Sequence, residues 1–360
     1  MAHFLIWSSL AFLLYVHFGY PLLLDVWRRL AGRPVKKGFW EPTVSILIAV
    51  HNERDTIEAK LLNCLGLDYP LEKLQVVVVL DAPTDGTDAI LGRYETGAVS
   101  VVTLSERKGK AGALNHAVPA ARGEILVFAD ARQLFERGAL RELVANFHDP
   151  DVGCASGELV LLDENGREAS DGMGIYWRYE KWMRAQEARI HSMLGATGAI
   201  YAIRREFYKP MRPDTILDDM AVPMNIVLCG KRAVFDGAAH AYDRVSASPE
   251  IEYGRKVRTL MGNYQLLARM PELLSPIHNP VWLQFFSHKV ARLLVPYALV
   301  VLFVANLFAL NGPYLVLFAA QCSWYLLAGV GGFLSRHSLA REVAPVLIAT
   351  TSSKRKRIAT

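Results

Sequence analysis

The sequence predicts an α/β fold: a mostly parallel sheet in a domain flanked on both sides by apolar, membrane-type segments. Three observations carry that expectation. Short apolar runs alternate with helical patterns between residues 44 and 130, the arrangement of βαβ units with right-handed crossovers. Glu53, Asp81 and Asp130 each stand at or just beyond the end of such a run. The apolar residues, 52% of 360 against 21% charged, crowd toward the two ends of the chain, so a membrane class comes first.

Taken in order, Phe4 to Leu24 carries no formal charge. At ~1.5 Å per residue it reaches across a ~30 Å hydrocarbon core. A cleaved signal peptide is the alternative, disfavoured because no basic region precedes the run and no small-x-small site follows it. Arg28, Arg29, Arg33, Lys36 and Lys37 come next, which predicts a main domain on the cytoplasmic side. Val44 to Val50 is an almost wholly apolar strand. Asp55 or Thr56 then caps a helix with Ile57, Leu61, Leu62 and Leu65 on one face. Gln75 to Leu80 is a second buried strand, closed by Asp81. The loop Asp81-Ala82-Pro83-Thr84-Asp85-Gly86-Thr87 leads into a helix through about Tyr94, and Val99 to Leu104 is a third strand. Lys108-Gly109-Lys110-Ala111-Gly112 opens a helix that ends near Arg122-Gly123. Ile125 to Ala129 then delivers Asp130 to the carboxyl edge of the sheet, where ligands of open α/β sheets sit.

The pattern changes after about 150. Val152 to Leu162 reads as a strand pair or hairpin around Asp163-Glu164-Asn165-Gly166. Ile175 to Ile190 is an amphipathic helix carrying Tyr176, Trp177, Tyr179 and Trp182. Gly195-Ala196-Thr197-Gly198 precedes a strand, and Leu217-Asp218-Asp219-Met220 starts a helix. Ile251 to Met270 is a helix with basic and apolar faces. Val281 to Val290, with Trp282, Phe285 and Phe286, reads as an interfacial helix. Val290 to Leu310 and Tyr314 to Leu334 read as two spans joined by a turn at Asn311-Gly312-Pro313, with Arg292 snorkelling. The expected segments are thus an N-terminal span (1–27), a catalytic domain (40–275), an interfacial helix (276–289), two spans (290–335) and a basic tail (336–360). Within the catalytic domain, 40–150 would bind nucleotide, 151–250 acceptor, and 251–275 form the basic helix.

Several classes are excluded. The net charge of +5 sits in clusters beside the apolar runs, and four basic residues in the tail, Lys354 to Arg357, are too few to argue for nucleic acid. The four cysteines are far apart, so neither a zinc site nor a disulfide framework is implied. The ten histidines show no HExxH spacing, and no Gly-x-Ser-x-Gly or Walker A segment exists.

Here the residues carry a resemblance. The opening Val44-Ser45-Ile46-Leu47-Ile48-Ala49-Val50-His51-Asn52-Glu53, the Asp81 loop with its Asp85-Gly86-Thr87, and Lys108-Gly109-Lys110 with Ala113-Leu114-Asn115 resemble the membrane-bound family 2 glycosyltransferases of the cellulose, chitin and hyaluronan synthase type. The resemblance covers roughly Pro42 to Arg269 and implies a GT-A fold, a Rossmann-like cytosolic domain with transmembrane and interfacial helices. It implies that Val50, Glu53, Asp81 and Lys110 bind the nucleotide of a nucleotide-sugar donor, UDP-linked by preference. Asp130 would ligate Mg²⁺ or Mn²⁺, with diphosphate and water filling the shell. Asp130-Ala131-Arg132 departs from the family's Asp-x-Asp, since the second acid is Arg132. Leu217-Asp218-Asp219 aligns with the family's Thr-Glu-Asp, which makes Asp219 the general base. On residues alone the pair equally suits a helix N-terminus. Thr197, Gly198, Asp218 and Trp177 would meet the acceptor. Arg255-Lys256-Val257-Arg258-Thr259 stands where the family has Gln-x-x-Arg-Trp, so Arg258 would hold the leaving diphosphate, while Thr259 replaces the Trp. The implied acceptor is a growing polysaccharide or a lipid-linked glycan, with single transfer to polyprenyl phosphate or an inactive sugar-nucleotide scaffold as alternatives. The implied setting is the inner membrane. Two C-terminal spans are few for a polymer channel, which a homo-oligomer would remedy.

Overall fold

The structure, a computed structural model, describes residues 1–95, 97–163, 166, 174–244 and 249–331. The expected turn residues Glu164 and Asn165 and the basic tail lie outside the described residues. Gly19–Ala291 form one compact unit; Met1–Phe18 and the chain from Arg292 form another.

The helices are α1 (Ala2–Leu14), α2 (Tyr20–Ala31), α3 (Ile57–Leu65), α4 (Thr87–Leu91), α5 (Gly109–Ala120), α6 (Ala139–Ala145), α7 (Gly174–Ile190), α8 (Asp218–Leu228), α9 (Pro249–Arg269), α10 (Trp282–Phe285) and α11 (Ala291–Leu307), with α12 at Gly312–Gly331. The strands are β1 (Val44–Val50), β2 (Leu74–Asp81), β3 (Val99–Leu104), β4 (Ile125–Ala129), β5 (Leu134–Phe135), β6 (Val152–Leu162), β7 (Ile200–Arg204) and β8 (Arg232–Arg244).

One eight-stranded sheet organises the Gly19–Ala291 unit, in the order β3-β2-β1-β4-β7-β6-β8-β5. β3, β2, β1 and β4 run parallel, as the alternating pattern predicts. β7 is antiparallel to both its neighbours, whereas β6 and β8 are parallel to each other. The apolar run of β7 carries no direction of its own. Its polarity is set by where the preceding turn leaves the chain.

Alternation along β1 shows how the sheet is covered. Ile46 and Ile48 join a core with Ile57 and Leu61 of α3 and Leu140 and Leu143 of α6. Leu47 joins the opposite core with Ala113 and Leu114 of α5 and Met224 and Ile226 of α8. Successive side chains point to opposite faces, and both faces are covered by helices, which is why these strands are apolar throughout. Each fully buried Ile or Leu contributes roughly 1.5–3 kcal/mol.

Two expectations change. Val152–Leu162 is one strand of 11 residues rather than a strand pair; the return arm of a hairpin around Asp163–Gly166 would lie outside the described residues. Register shifts against β8 between Val152 and Cys154 and between Ser156 and Glu158 let it bend without breaking. The interfacial helix is not separate. Trp282–Leu307 is one helix of 26 residues, with a π turn at Phe286–Val290. No Gly or Pro interrupts Val281–Val290, so nothing there stops helical hydrogen bonding.

Among the described residues, three helices are long and apolar enough to cross a membrane: Ala2–Ala31, Trp282–Leu307 and Gly312–Gly331. The first contains a π turn at Tyr15–Gly19, one turn before Pro21, whose missing N–H and bulky ring disturb the regular ladder. Within the second unit, Ile6 packs with Leu302, Ala305 and Ala309.

The parallel half is locked by a buried polar knot. The Ser45 hydroxyl donates to Gln75 Oε1 (2.8 Å) and accepts the amides of Arg122 (3.1 Å) and Gly123 (2.9 Å). Gln75 Nε2 reaches Ser100 Oγ and the Ala120 carbonyl, so β1, β2, β3 and the end of α5 meet there. Ser45→Ala removes the oxygen that satisfies the Gly123 amide and is expected to cost about 1–3 kcal/mol, read as a lower denaturation midpoint of the full chain in detergent.

Candidate active site

The carboxyl edge of β1, β2 and β4 is sewn together by its loops. Asn52 and Thr84 bond in both directions, Thr84 N–H to Asn52 Oδ1 (2.9 Å) and Asn52 Nδ2 to Thr84 Oγ1 (3.1 Å). The Arg54 amide donates to Asp85 Oδ2 (3.0 Å) and the Glu53 amide to Thr87 Oγ1 (3.2 Å). Ala82 is held at φ 51°, a left-handed conformation that a non-glycine residue keeps only where its surroundings impose it.

Asp81, at the end of β2, is only 4% exposed. Its two oxygens accept the amides of Lys108 (2.6 Å) and Gly109 (2.9 Å). These are unpaired donors at the N-terminus of α5, where negative charge is favoured. Gly109 has φ +72°, which glycine adopts without steric cost. Asp81 therefore fixes the start of α5 and, one residue on, Lys110. The Val50 side chain is 2% exposed in the core, so what it can offer a ligand is backbone. Glu53 is partly exposed and accepts a bond from the Thr56 hydroxyl (2.6 Å).

Lys110 is the centre of the constellation. Its ammonium touches Asp130 Oδ1 at 2.8 Å and Asp218 Oδ2 at 3.2 Å. Those two carboxylates, far apart in sequence, are therefore no further apart than those two contacts laid end to end. Burial works against the ammonium, but Asp218 and Asp130 outweigh it and hold its pKa above the usual lysine value. Asp218 Oδ2 is buried and lacks an aligned hydrogen bond, so its contact with Lys110 is an ion pair only.

Asp218 and Asp219 form the first turn of α8, where the helix dipole favours acids. The Asp219 carbonyl accepts the Ala196 amide (2.7 Å), which presses the turn Gly195-Ala196-Thr197-Gly198 against this helix end. A Cβ on Gly198 would stand 3.2 Å from Asp219 Oδ2, so glycine lets backbone and carboxylate approach. The Thr197 amide donates to Ser156 Oγ (2.8 Å), and its hydroxyl accepts from Arg184 Nη1 (2.6 Å). Burial, then the neighbouring Asp218 charge, pushes the Asp219 carboxyl up to about 6 against the pull of Lys110.

Asp219 also faces a cavity of about 160 Å³ whose lining includes Arg184, Glu180, Glu187, Thr259 and His288. His288 lies between Glu187 Oε1 (2.7 Å) and Glu180 Oε2 (3.2 Å), and Tyr20 donates to the same Glu187 oxygen (2.7 Å). Burial lowers the Arg184 pKa. Sequence reading missed this wall. The signal was available: Glu180, Arg184 and Glu187 recur at helical spacing on one face of α7, beneath the aromatic residues that draw the eye.

The structure thus brings Lys110, Asp130, Asp218, Asp219, Thr197 and Gly198 together. It does not bring in two others. Arg258 lies exposed on α9 with Nη2 3.4 Å from the Ile216 carbonyl. Trp177, on α7, is not among the residues that line the cavity. Arg132 turns to Asp243 (2.5 Å), which also accepts from Gln133. No group of three or more His, Cys, Asp or Glu side chains able to hold a metal occurs among the described residues. Asp130, 39% exposed at the edge, is a hard oxygen donor of the kind Mg²⁺ or Mn²⁺ accepts alongside substrate phosphates.

A model of the family described as glycosyl transferase family 2 matches residues 45–211. A poly-beta-1,6-N-acetyl-D-glucosamine synthase of Staphylococcus aureus is 27% identical over 236 residues, 63% of this chain and 56% of that protein. The probable glycosyltransferase YdaM of Bacillus subtilis is 25% identical over 239 residues, 63% of this chain and 57% of that protein. The chain spans little more than half the length of these curated relatives. The solved structure of a mannosyltransferase from Pyrobaculum calidifontis, PcManGT, in complex with GDP-Man and Mn²⁺ superposes with a TM-score of 0.69 at 27% identity, covering 89% of this chain and 92% of that one. Sheet order, matched residues and relatives agree: residues 45–211 match the glycosyl transferase family 2 model, the core has the GT-A-like fold of the Pyrobaculum structure, and the chain is similar to glycosyltransferases.

Proposed function

We propose that the chain transfers a sugar, with inversion, from a nucleotide-diphosphate sugar to a hydroxyl of a growing polysaccharide, with Asp219 as general base. The observation that carries this is the Asp219 carboxylate. It abuts the Gly198 backbone, has a pKa raised to about 6, and sits beside the Lys110–Asp130 pair. A base that releases its proton near neutral pH has the strength to take one from an attacking hydroxyl and keep it through the transition state. A polyprenyl phosphate would arrive already ionised and need no such base, so the hydroxyl acceptor is favoured over single transfer to a lipid phosphate. The polymer is suggested by the Staphylococcus relative's name.

The donor's nucleoside would lie over the Glu53 and Asp81 loops and its diphosphate beside Asp130 and Lys110. The cluster holds three carboxylates, Asp130, Asp218 and Asp219, against Lys110 and Arg184, an acidic surplus that suits a further cation. Mg²⁺ or Mn²⁺ on Asp130 would neutralise the diphosphate as it leaves. Lys110 holds a proton throughout and stabilises the same charge; such fixed charge is commonly the largest catalytic contribution. A UDP-sugar is the donor proposed, from the resemblance of the Asp81 loop. The GDP-Man in the Pyrobaculum structure makes a GDP-sugar the alternative. The catalytic unit is placed on the cytoplasmic face of the inner membrane, next to the basic cluster that follows the first span.

The deciding experiment is a donor screen in membranes, reading release of nucleoside diphosphate. Asp219→Asn is expected to lower turnover by about 10²–10⁴-fold while donor binding persists; an unchanged rate would refute the base assignment. Chelation with EDTA should stop release, and Mg²⁺ or Mn²⁺ should restore it. The rate should rise with pH along a limb near 6, because Asp219 must be deprotonated to act. Asp218→Asn removes the like charge that raises that value, so the limb should move to lower pH. A limb that stays put would show that Asp219 does not control it.

A further inference from the structure

A second cavity, of about 460 Å³, lies where α2 ends, and Arg28, Arg33, Lys37, Arg189, Val35 and Phe235 are among its walls. Among the described residues, no carboxylate lines it. We propose that it binds the phosphate of an anionic phospholipid headgroup, and so ties the catalytic unit to the charge of the membrane surface.

Four cations gather on one wall, and their counter-charges are incomplete. Lys37 is matched by Asp236 (2.5 Å) and Glu142 (3.2 Å). Arg28 reaches Asp25 through Nη2 (3.1 Å), but its Nε is buried without a hydrogen-bond partner. Arg33 meets Asp151 only at 3.8 Å. The Arg189 guanidinium has no carboxylate within ion-pair distance among the described residues. Behind the cavity Arg232, 4% exposed, gives its N–H groups to the carbonyls of Arg33, Ala188 and His191. Burial and then the nearby Arg33 lower its pKa, opposed by Asp149 and Asp151.

Guanidinium groups pair with phosphate oxygens through two parallel N–H bonds, and an unpaired Nε beside an Nη is half of such a fork. The source of the phosphate follows from the chain. Arg28 lies in the last turn of Ala2–Ala31, a helix long and apolar enough to span a membrane. Basic pockets at such helix ends lie at headgroup depth. Val35 and Phe235 offer apolar surface to the glycerol side of a lipid, which inorganic phosphate would not use. The site is separate from the sugar-transfer cluster and does not depend on how that cluster works.

The test uses the full chain in neutral detergent, with thermal midpoint as readout. Phosphatidylglycerol should raise the midpoint by a few degrees through preferential binding to the folded state. Phosphatidylcholine, and inorganic phosphate at equal concentration, should not. Arg189→Gln, which removes no internal ion pair, and separately Arg33→Gln should each weaken the apparent phosphatidylglycerol affinity by roughly fivefold or more. Arg29→Gln makes the same charge change outside the cavity and should leave it intact. An equal shift with inorganic phosphate, a full shift in Arg189→Gln and Arg33→Gln, or an equal loss in Arg29→Gln would each overturn the proposal.

Discussion

A single ammonium makes the reactive end of this sheet possible. Asp130, Asp218 and Asp219 are confined to one neighbourhood, and bare like charges at such range repel by about 4 kcal/mol at an effective dielectric near 20. Lys110 touches two of the three, so the repulsion is offset where it is greatest. Burial, and then what is left of that repulsion, falls on Asp219, whose proton is held to about 6. Neutrality at one pair and strain at its neighbour are two consequences of one placement.

That placement is inherited from the backbone. Asp81 grips the first amides of α5, and the helix then has no choice about where its next side chain, Lys110, emerges. α8 delivers Asp218 and Asp219 on its opening turn, and the Gly195–Gly198 turn leans on the same helix end through the Ala196 amide. The start of α5 is thus indexed to β2 through the Asp81 carboxylate, and the Gly195–Gly198 turn to α8 through one backbone hydrogen bond.

Much of the fold was legible. β1 to β4 announce themselves by unbroken apolar runs, because both faces of a parallel sheet are buried and no polar alternation can survive. The three long apolar helices are legible for a similar reason: a helix able to cross lipid carries apolar side chains along its whole length. The direction of β7 and the single-strand character of β6 were not legible, since an apolar run reads alike in both directions and a bulge leaves the alternation almost unchanged. Among site residues, the acids at strand ends and helix starts stood out because local sequence there is unusual. Arg184, Glu180, Glu187 and His288 did not, because each lies in an ordinary helical stretch and acquires meaning only from what faces it.

Local sequence by itself determined which segments are strand, helix or span, and which acids stand at their ends, because backbone hydrogen bonding and burial act over a few neighbouring residues. Only the tertiary structure decided that Lys110 reaches both Asp130 and Asp218, that Asp219 meets Gly198 and a cavity, and that Arg258 stays outside. Those are contacts between residues as much as 108 positions apart in the case of Lys110 and Asp218. Electrostatic interactions at such separations depend on distances that folding sets and on water that folding removes.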